Sequence, residues 1–247
     1  MPELRELSIA DARERMRAGE LKAQDLVASC LERIRLRDGN IHAWVEVYEE
    51  QALEQAQTCD EAVRAGKWQG DLHGIPVGVK DIIDVKGMWT RAGCSVYSPR
   101  VAEADAAAVK KLRAAGAIFL GKTVTTAFAN NDPAETRNPW NPEHTPGGSS
   151  SGSGAAVADR MCLAALGTQT GGSVVRPSAY NGIVGFKPTH DAISIEGVIP
   201  VSRTLDHVGI HAGSVNDTRI LYDILREDRP ERFAAMSKDA GLSLIHI

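Results

Sequence analysis

The sequence has no run of about 18 apolar residues, so it offers no segment able to span a bilayer as a helix. Its four cysteines, Cys30, Cys59, Cys94 and Cys162, lie far apart. Without a C-x-x-C pair they suggest neither a zinc site nor a redox disulfide, and they read as small core hydrophobes. Seven histidines are dispersed without an H-x-x-x-H ligand pair, which argues against a metal site. No basic stripe exists either. Lys and Arg are scattered, the formal charge is −4, and a nucleic-acid partner is not expected. The Met1-Pro-Glu-Leu-Arg-Glu start lacks an apolar leader core, so a reducing cytoplasm is the expected setting. There is no internal repeat.

What the chain does have is an ordinary globular balance, 43% hydrophobic and 24% charged over 247 residues. Ser8 is placed to cap a helix over residues 9–18, with Asp11 completing a capping box. Leu26, Val27, Cys30, Leu31 and Ile34 mark one face of a helix over 23–36, and Asp38-Gly39-Asn40 reads as the turn that ends it. A short strand at 43–47 and a helix over 49–65 complete a helical segment, residues 1–66. From residue 67 to 240 the pattern alternates. Strands are expected at 74–81, 117–120, 163–166, 183–186, 198–201 and 208–210, with helices at 106–114, 155–158 and 216–225. Such alternation predicts an α/β fold, a central sheet with helices on both faces. The last residues, 241–247, form a separate tail.

Three motifs compete for chemistry. Gly116-Ala-Ile-Phe-Leu-Gly121-Lys122-Thr123 matches the phosphate-loop pattern G-x-x-x-x-G-K-T. Its middle residues prefer a buried strand to a tight anion-binding turn, so the match reads as accidental. Gly148-Ser149-Ser150-Ser151-Gly152 matches the nucleophile elbow G-x-S-x-G, with Ser150 as nucleophile and Asp206, His207 or His211 as partners. An elbow follows a buried strand, whereas the preceding Asn138–Pro146 stretch carries three prolines. The third pattern joins two patches, Gly147-Gly148-Ser149-Ser150-Ser151-Gly152 and Gly167-Thr168-Gln169-Thr170-Gly171-Gly172-Ser173. A serine just after glycines suits acyl transfer, because glycine lets free backbone N–H groups approach a developing oxyanion. Such a serine needs a base. Lys80, at the end of an apolar run, would serve if burial lowered its pKa.

Gly78-Val-Lys80-Asp81, Pro146-Gly-Gly-Ser149-Ser-Ser-Gly-Ser and Gly167-Thr-Gln-Thr-Gly-Gly-Ser173, in this order and spacing, resemble the three hallmarks of the amidase signature family. Gly182-Ile-Val-Gly-Phe-Lys-Pro-Thr189 and Thr204-Leu-Asp206 fit as well, and the resemblance runs over residues 5–228. It implies a mixed central sheet flanked by helices, incomplete at the C-terminus, with no cofactor and no metal. It further implies Ser173 as nucleophile and Ser149, after a cis peptide from Gly148, as the bridging serine. Lys80 is then the base, the N–H groups of Thr170, Gly171, Gly172 and Ser173 form the oxyanion hole, and Ser150 and Thr168 support the relay. The implied activity is hydrolysis of a small amide to acid and ammonia, and homodimers are a habit of the family. Arg176, three positions after Ser173, and Gln169 resemble the small-amide hydrolases such as malonamidases. The tRNA-dependent amidotransferase subunits usually place aspartate at 169 and the arginine one position earlier. Arg176 is therefore expected to grip a substrate carboxylate. The alternatives are the glutamine-hydrolysing component of a tRNA-dependent amidotransferase and an inactive truncated fragment. Asn181, Asp191 and Gly154 depart from the family's usual spelling.

Overall fold

The computed structural model describes residues 3–96 and 99–227; the expected tail at 241–247 lies outside them. In chain order the elements are α1 (Ile9–Arg17), α2 (Ala23–Ile41), β1 (Trp44–Val47), α3 (Glu49–Arg64), β2 (Pro76–Lys80), β3 (Trp89–Thr90), β4 (Arg100–Val101) and α4 (Ala107–Ala114). They continue as β5 (Ile118–Thr123), α5 (Ser151–Ala158), β6 (Ala164–Gln169), α6 (Val175–Asn181), β7 (Val184–Phe186), β8 (His207–Ala212) and α7 (Val215–Leu225). Among the described residues no helix is long and apolar enough to cross a membrane.

Six strands form one mixed sheet in the order β1-β5-β2-β6-β8-β7. β2 lies at its centre, parallel to both β5 and β6, while β1, β8 and β7 join antiparallel. Every residue of β2, β5 and β6 is buried, which is why these strands read as continuous apolar or small runs. The expected α/β architecture with a mixed, helix-flanked sheet is what forms. β1, from the N-terminal helical segment, supplies the edge next to β5.

The structure departs from the sequence reading in several places. Ser8 caps α1, accepting the Asp11 N–H at 3.0 Å, but the Asp11 carboxylate takes the Ser8 hydroxyl at 2.7 Å instead of the Ser8 N–H, so only half the expected box forms. α2 runs through Asp38-Gly39-Asn40 to Ile41 and stops at His42, in the left-handed region with φ 55°. Asp38 acts beyond the helix end, where its carboxylate accepts the Ala43 N–H at 2.6 Å. Residues 198–201 form no strand; Val198 makes a single bridge to Ile83. The N–H groups of Val201 and Ser202 both turn to the Asp206 carboxylate, at 2.8 Å each. α5 begins at Ser151 and not at Ala155. It packs so closely that a Cβ on Gly152 would lie 2.1 Å from the Ala43 carbonyl oxygen. α6 has no counterpart among the expected helices. Its signals are Pro177 near the first turn and Gly182, at φ 68°, as the cap.

Two of the unusual residues explain each other. The Asn181 side chain donates to the carbonyls of Pro146 and Pro177 at 2.7 Å each, tying the start of the serine-rich loop to α6. A Cβ on Gly154 would stand 3.1 Å from that amide, so the bare glycine leaves the asparagine its room.

Candidate active site

β5 disposes of the phosphate loop. Gly121, Lys122 and Thr123 lie within the strand, and Lys122 is fully buried against Asp81 at 3.2 Å. The elbow fails for a similar reason. Ser150 follows a loop, is fully buried, and donates its hydroxyl to the Thr168 carbonyl at 3.2 Å while accepting the Thr168 N–H at 3.2 Å.

The third pattern converges. Lys80, the last residue of the central strand, is 0% exposed. Its Nζ lies 2.8 Å from Ser149 Oγ and 2.7 Å from Thr168 Oγ1. None of these partners carries a charge. Burial pushes the Lys80 amine well below the ordinary lysine range, and the Asp206 carboxylate opposes this only in part. Ser149 is buried at the head of α5, and the Gly148–Ser149 peptide is cis. Ser149, Ser173 and Arg176 line one cleft of about 260 Å³, with Thr126, Asn130 and Tyr180 among its other walls. Ser149 Oγ and Ser173 Oγ are not hydrogen-bonded to each other among the described residues, so of the relay's two links only the one from Lys80 to Ser149 is made. Arg176 has no ion-pair partner among the described residues and is exposed toward the cleft rim.

The loop from Thr170 to Ser173 is held from both ends. Gln169, the last residue of β6, accepts the N–H groups of Val174 at 2.8 Å and Val175 at 3.0 Å, and donates to the Gly171 carbonyl at 3.1 Å. One amide side chain thus spans the loop and caps α6. Thr170 donates its hydroxyl to Asp206, whose other oxygen gathers Val201 and Ser202. Among the described residues the N–H groups of Gly171, Gly172 and Ser173 have no protein acceptor. The sequence reaches Gln169 only as a matter of spelling, and Asp206 only as an elbow partner and a motif letter. An amide that both donates and accepts, placed just before a glycine pair, is the available signal.

This geometry stands beside clear relatives. The Amidase family matches residues 25–239. A glutamyl-tRNA(Gln) amidotransferase component from Syntrophus aciditrophicus is 41% identical over 229 residues, covering 90% of this chain and 47% of that protein. A peptide amidase structure from Stenotrophomonas maltophilia superposes with a TM-score of 0.86 at 37% identity, covering 96% of this chain and 51% of the other. The structure of 6-aminohexanoate cyclic dimer hydrolase gives a TM-score of 0.81 at 31% identity, covering 94% and 48%. The chain therefore spans about half the length of the relatives it matches. By its family match and its fold, this chain belongs to the amidase signature family.

Proposed function

We propose that this chain carries the Ser–Ser–Lys machinery of an amidase that hydrolyses the carboxamide of a small amide to acid and ammonia. The observation that carries this reading is the fully buried Lys80 amine, 2.8 Å from Ser149 Oγ and touching no carboxylate among the described residues. A neutral amine there accepts a proton from Ser149, and Ser149 takes one from Ser173. The freed Ser173 Oγ bonds to the amide carbon. The negative charge that develops on the carbonyl oxygen meets the N–H groups of Thr170 to Ser173. When the C–N bond breaks, Ser149 returns a proton to the departing nitrogen and receives one from Lys80. Water, deprotonated along the same path, then releases the acid from Ser173. Ser150 and Thr168 hold the relay from below, through the hydrogen bonds described above.

The substrate class is a small amide bearing a carboxylate. Arg176 supports it: a guanidinium on the same cleft as Ser173 with no carboxylate partner among the described residues. Arg176→Ala is expected to raise KM for carboxylated amides by about tenfold or more, with kcat little changed. An unchanged KM removes the gripping role. The relatives named as amidotransferase subunits favour a second reading, in which the chain hydrolyses glutamine beside a partner protein. Glutaminase activity that appears only on adding such a partner supports that reading.

The test of the main reading is ammonia release from malonamate and simple amides by wild type and Ser173→Ala. Loss in the variant is expected. Full activity in Ser173→Ala with loss in Ser150→Ala transfers the chemistry to the elbow serine, and no release from wild type or with a partner leaves an inactive fragment.

A further inference from the structure

His211 is a buried imidazole that the relay does not use. Strand pairing sets it opposite Ala165, on the face of the sheet that carries Lys80 and Gly167. Its Nδ1 lies 2.8 Å from Ser178 Oγ on α6, the helix that follows Ser173. Its Nε2 is buried without a hydrogen-bond partner among the described residues. A side-chain carbon on Gly167 would stand 2.5 Å from His211 Nε2 and 2.8 Å from Ser150 Oγ. The ring nitrogen and the hydroxyl therefore converge on the bare face of Gly167, behind the relay.

Counting hydrogens favours one placement of the ring proton, on Nε2. Ser178 Oγ has His211 Nδ1 as its one partner among the described residues, so its hydroxyl hydrogen belongs on that contact and Nδ1 accepts. The ring hydrogen then sits on Nε2. Ser150 Oγ has spent its own hydrogen on the Thr168 carbonyl and one lone pair on the Thr168 N–H, which leaves an acceptor site open. A donor without an acceptor thus faces an acceptor with room for a donor. Burial is the main cause that pushes His211 down to about 3, which leaves the ring uncharged near neutral pH.

We propose that His211, with its hydrogen on Nε2, is a positioning residue for the relay, keeping the Ser150 hydroxyl turned to Thr168 and so Thr168 on Lys80. Through Ser178 the same ring ties α6 to the sheet, fixing the start of the substrate wall. This inference rests on the Lys80–Ser149–Ser173 reading above.

The test pairs a spectrum with kinetics. In nitrogen-resolved spectra of the 15N-labelled chain, His211 should show a protonated Nε2 and a bare Nδ1 from about pH 6 to about pH 8. Ser178→Ala should weaken that preference. His211→Leu should lower kcat for amide hydrolysis about ten- to a hundredfold with little change in KM. His211→Gln, whose terminal amide can donate from near the Nε2 position, should recover most of the loss. A ring hydrogen on Nδ1, or equal kcat for the Leu and Gln variants, overturns the proposal. The spectrum is read on the folded chain whatever its activity, so a failure of the relay reading, seen as a Ser173→Ala variant that keeps full activity, shows itself separately.

Discussion

Two lysines on neighbouring strands, Lys80 on β2 and Lys122 on β5, are both wholly buried, yet they meet opposite surroundings. Register pairs Lys80 with Thr123 and Val79 with Lys122, so the two amines leave the sheet on opposite faces. Lys122 finds the Asp81 carboxylate at 3.2 Å, the Trp89 carbonyl at 3.1 Å and the Thr90 hydroxyl at 3.2 Å. Among the described residues Lys80 finds only hydroxyls and a carbonyl. Burial pushes Lys122 down and Asp81 up, but each is drawn back by the other. Lys80 has only the Asp206 field to draw it back. One buried amine thus sits against a carboxylate, and the other, which we propose as the base, sits against hydroxyls. What separates them is a partner, since depth is the same for both. Aspartate follows Lys80 in the chain, and strand alternation sends it to the other lysine.

That contrast breaks in graded ways. Lys80→Met should reduce amide hydrolysis by about 10³-fold or more, measured as kcat/KM, while the chain stays folded. Lys122→Met should do the reverse. It strands Asp81 in the core and should cost about 3–5 kcal/mol of stability by urea denaturation, much of it regained in the double variant Lys122→Met/Asp81→Leu. Equal stability losses for the two single lysine variants would erase the distinction. The smallest effect is a slope. The folded-state pKa of Lys80 lies below its unfolded value, so between the two the unfolded chain holds a proton that the native chain lacks, and stability rises with pH. Lys80→Met should remove up to about 1.4 kcal/mol per pH unit of that rise, read by urea denaturation at pH values below the ordinary lysine pKa of about 10.4. A wild-type slope unchanged by the substitution would mean that Lys80 is charged in the native chain.

Much of this was legible in the sequence because the central strands are short and wholly buried, and because the glycine–serine patches have few other uses. The phosphate-loop match could be set aside from residue type alone, since Ala117, Ile118, Phe119 and Leu120 prefer a strand. Long-range partners were not legible. Nothing local shows that Asp38 serves a turn beyond its helix, that Asp206 draws residues 201 and 202 off the sheet, or that Gly154 makes room for Asn181. The same holds for the Ser178–His211 contact, which joins residues 33 positions apart through the sheet. Helix α6 escaped notice because valines and a proline open it, and its stability comes from the Gln169 cap and from packing on the sheet.

The central claim is that Ser173 is the nucleophile and that Lys80 activates it through Ser149. The sharpest test is peptide mapping by mass spectrometry after reaction with a fluorophosphonate, which phosphonylates activated serines with loss of fluoride. The adduct is expected on Ser173 in wild type and is expected to be lost in Lys80→Met. An adduct on Ser150, or undiminished labelling of Ser173 without Lys80, would contradict it.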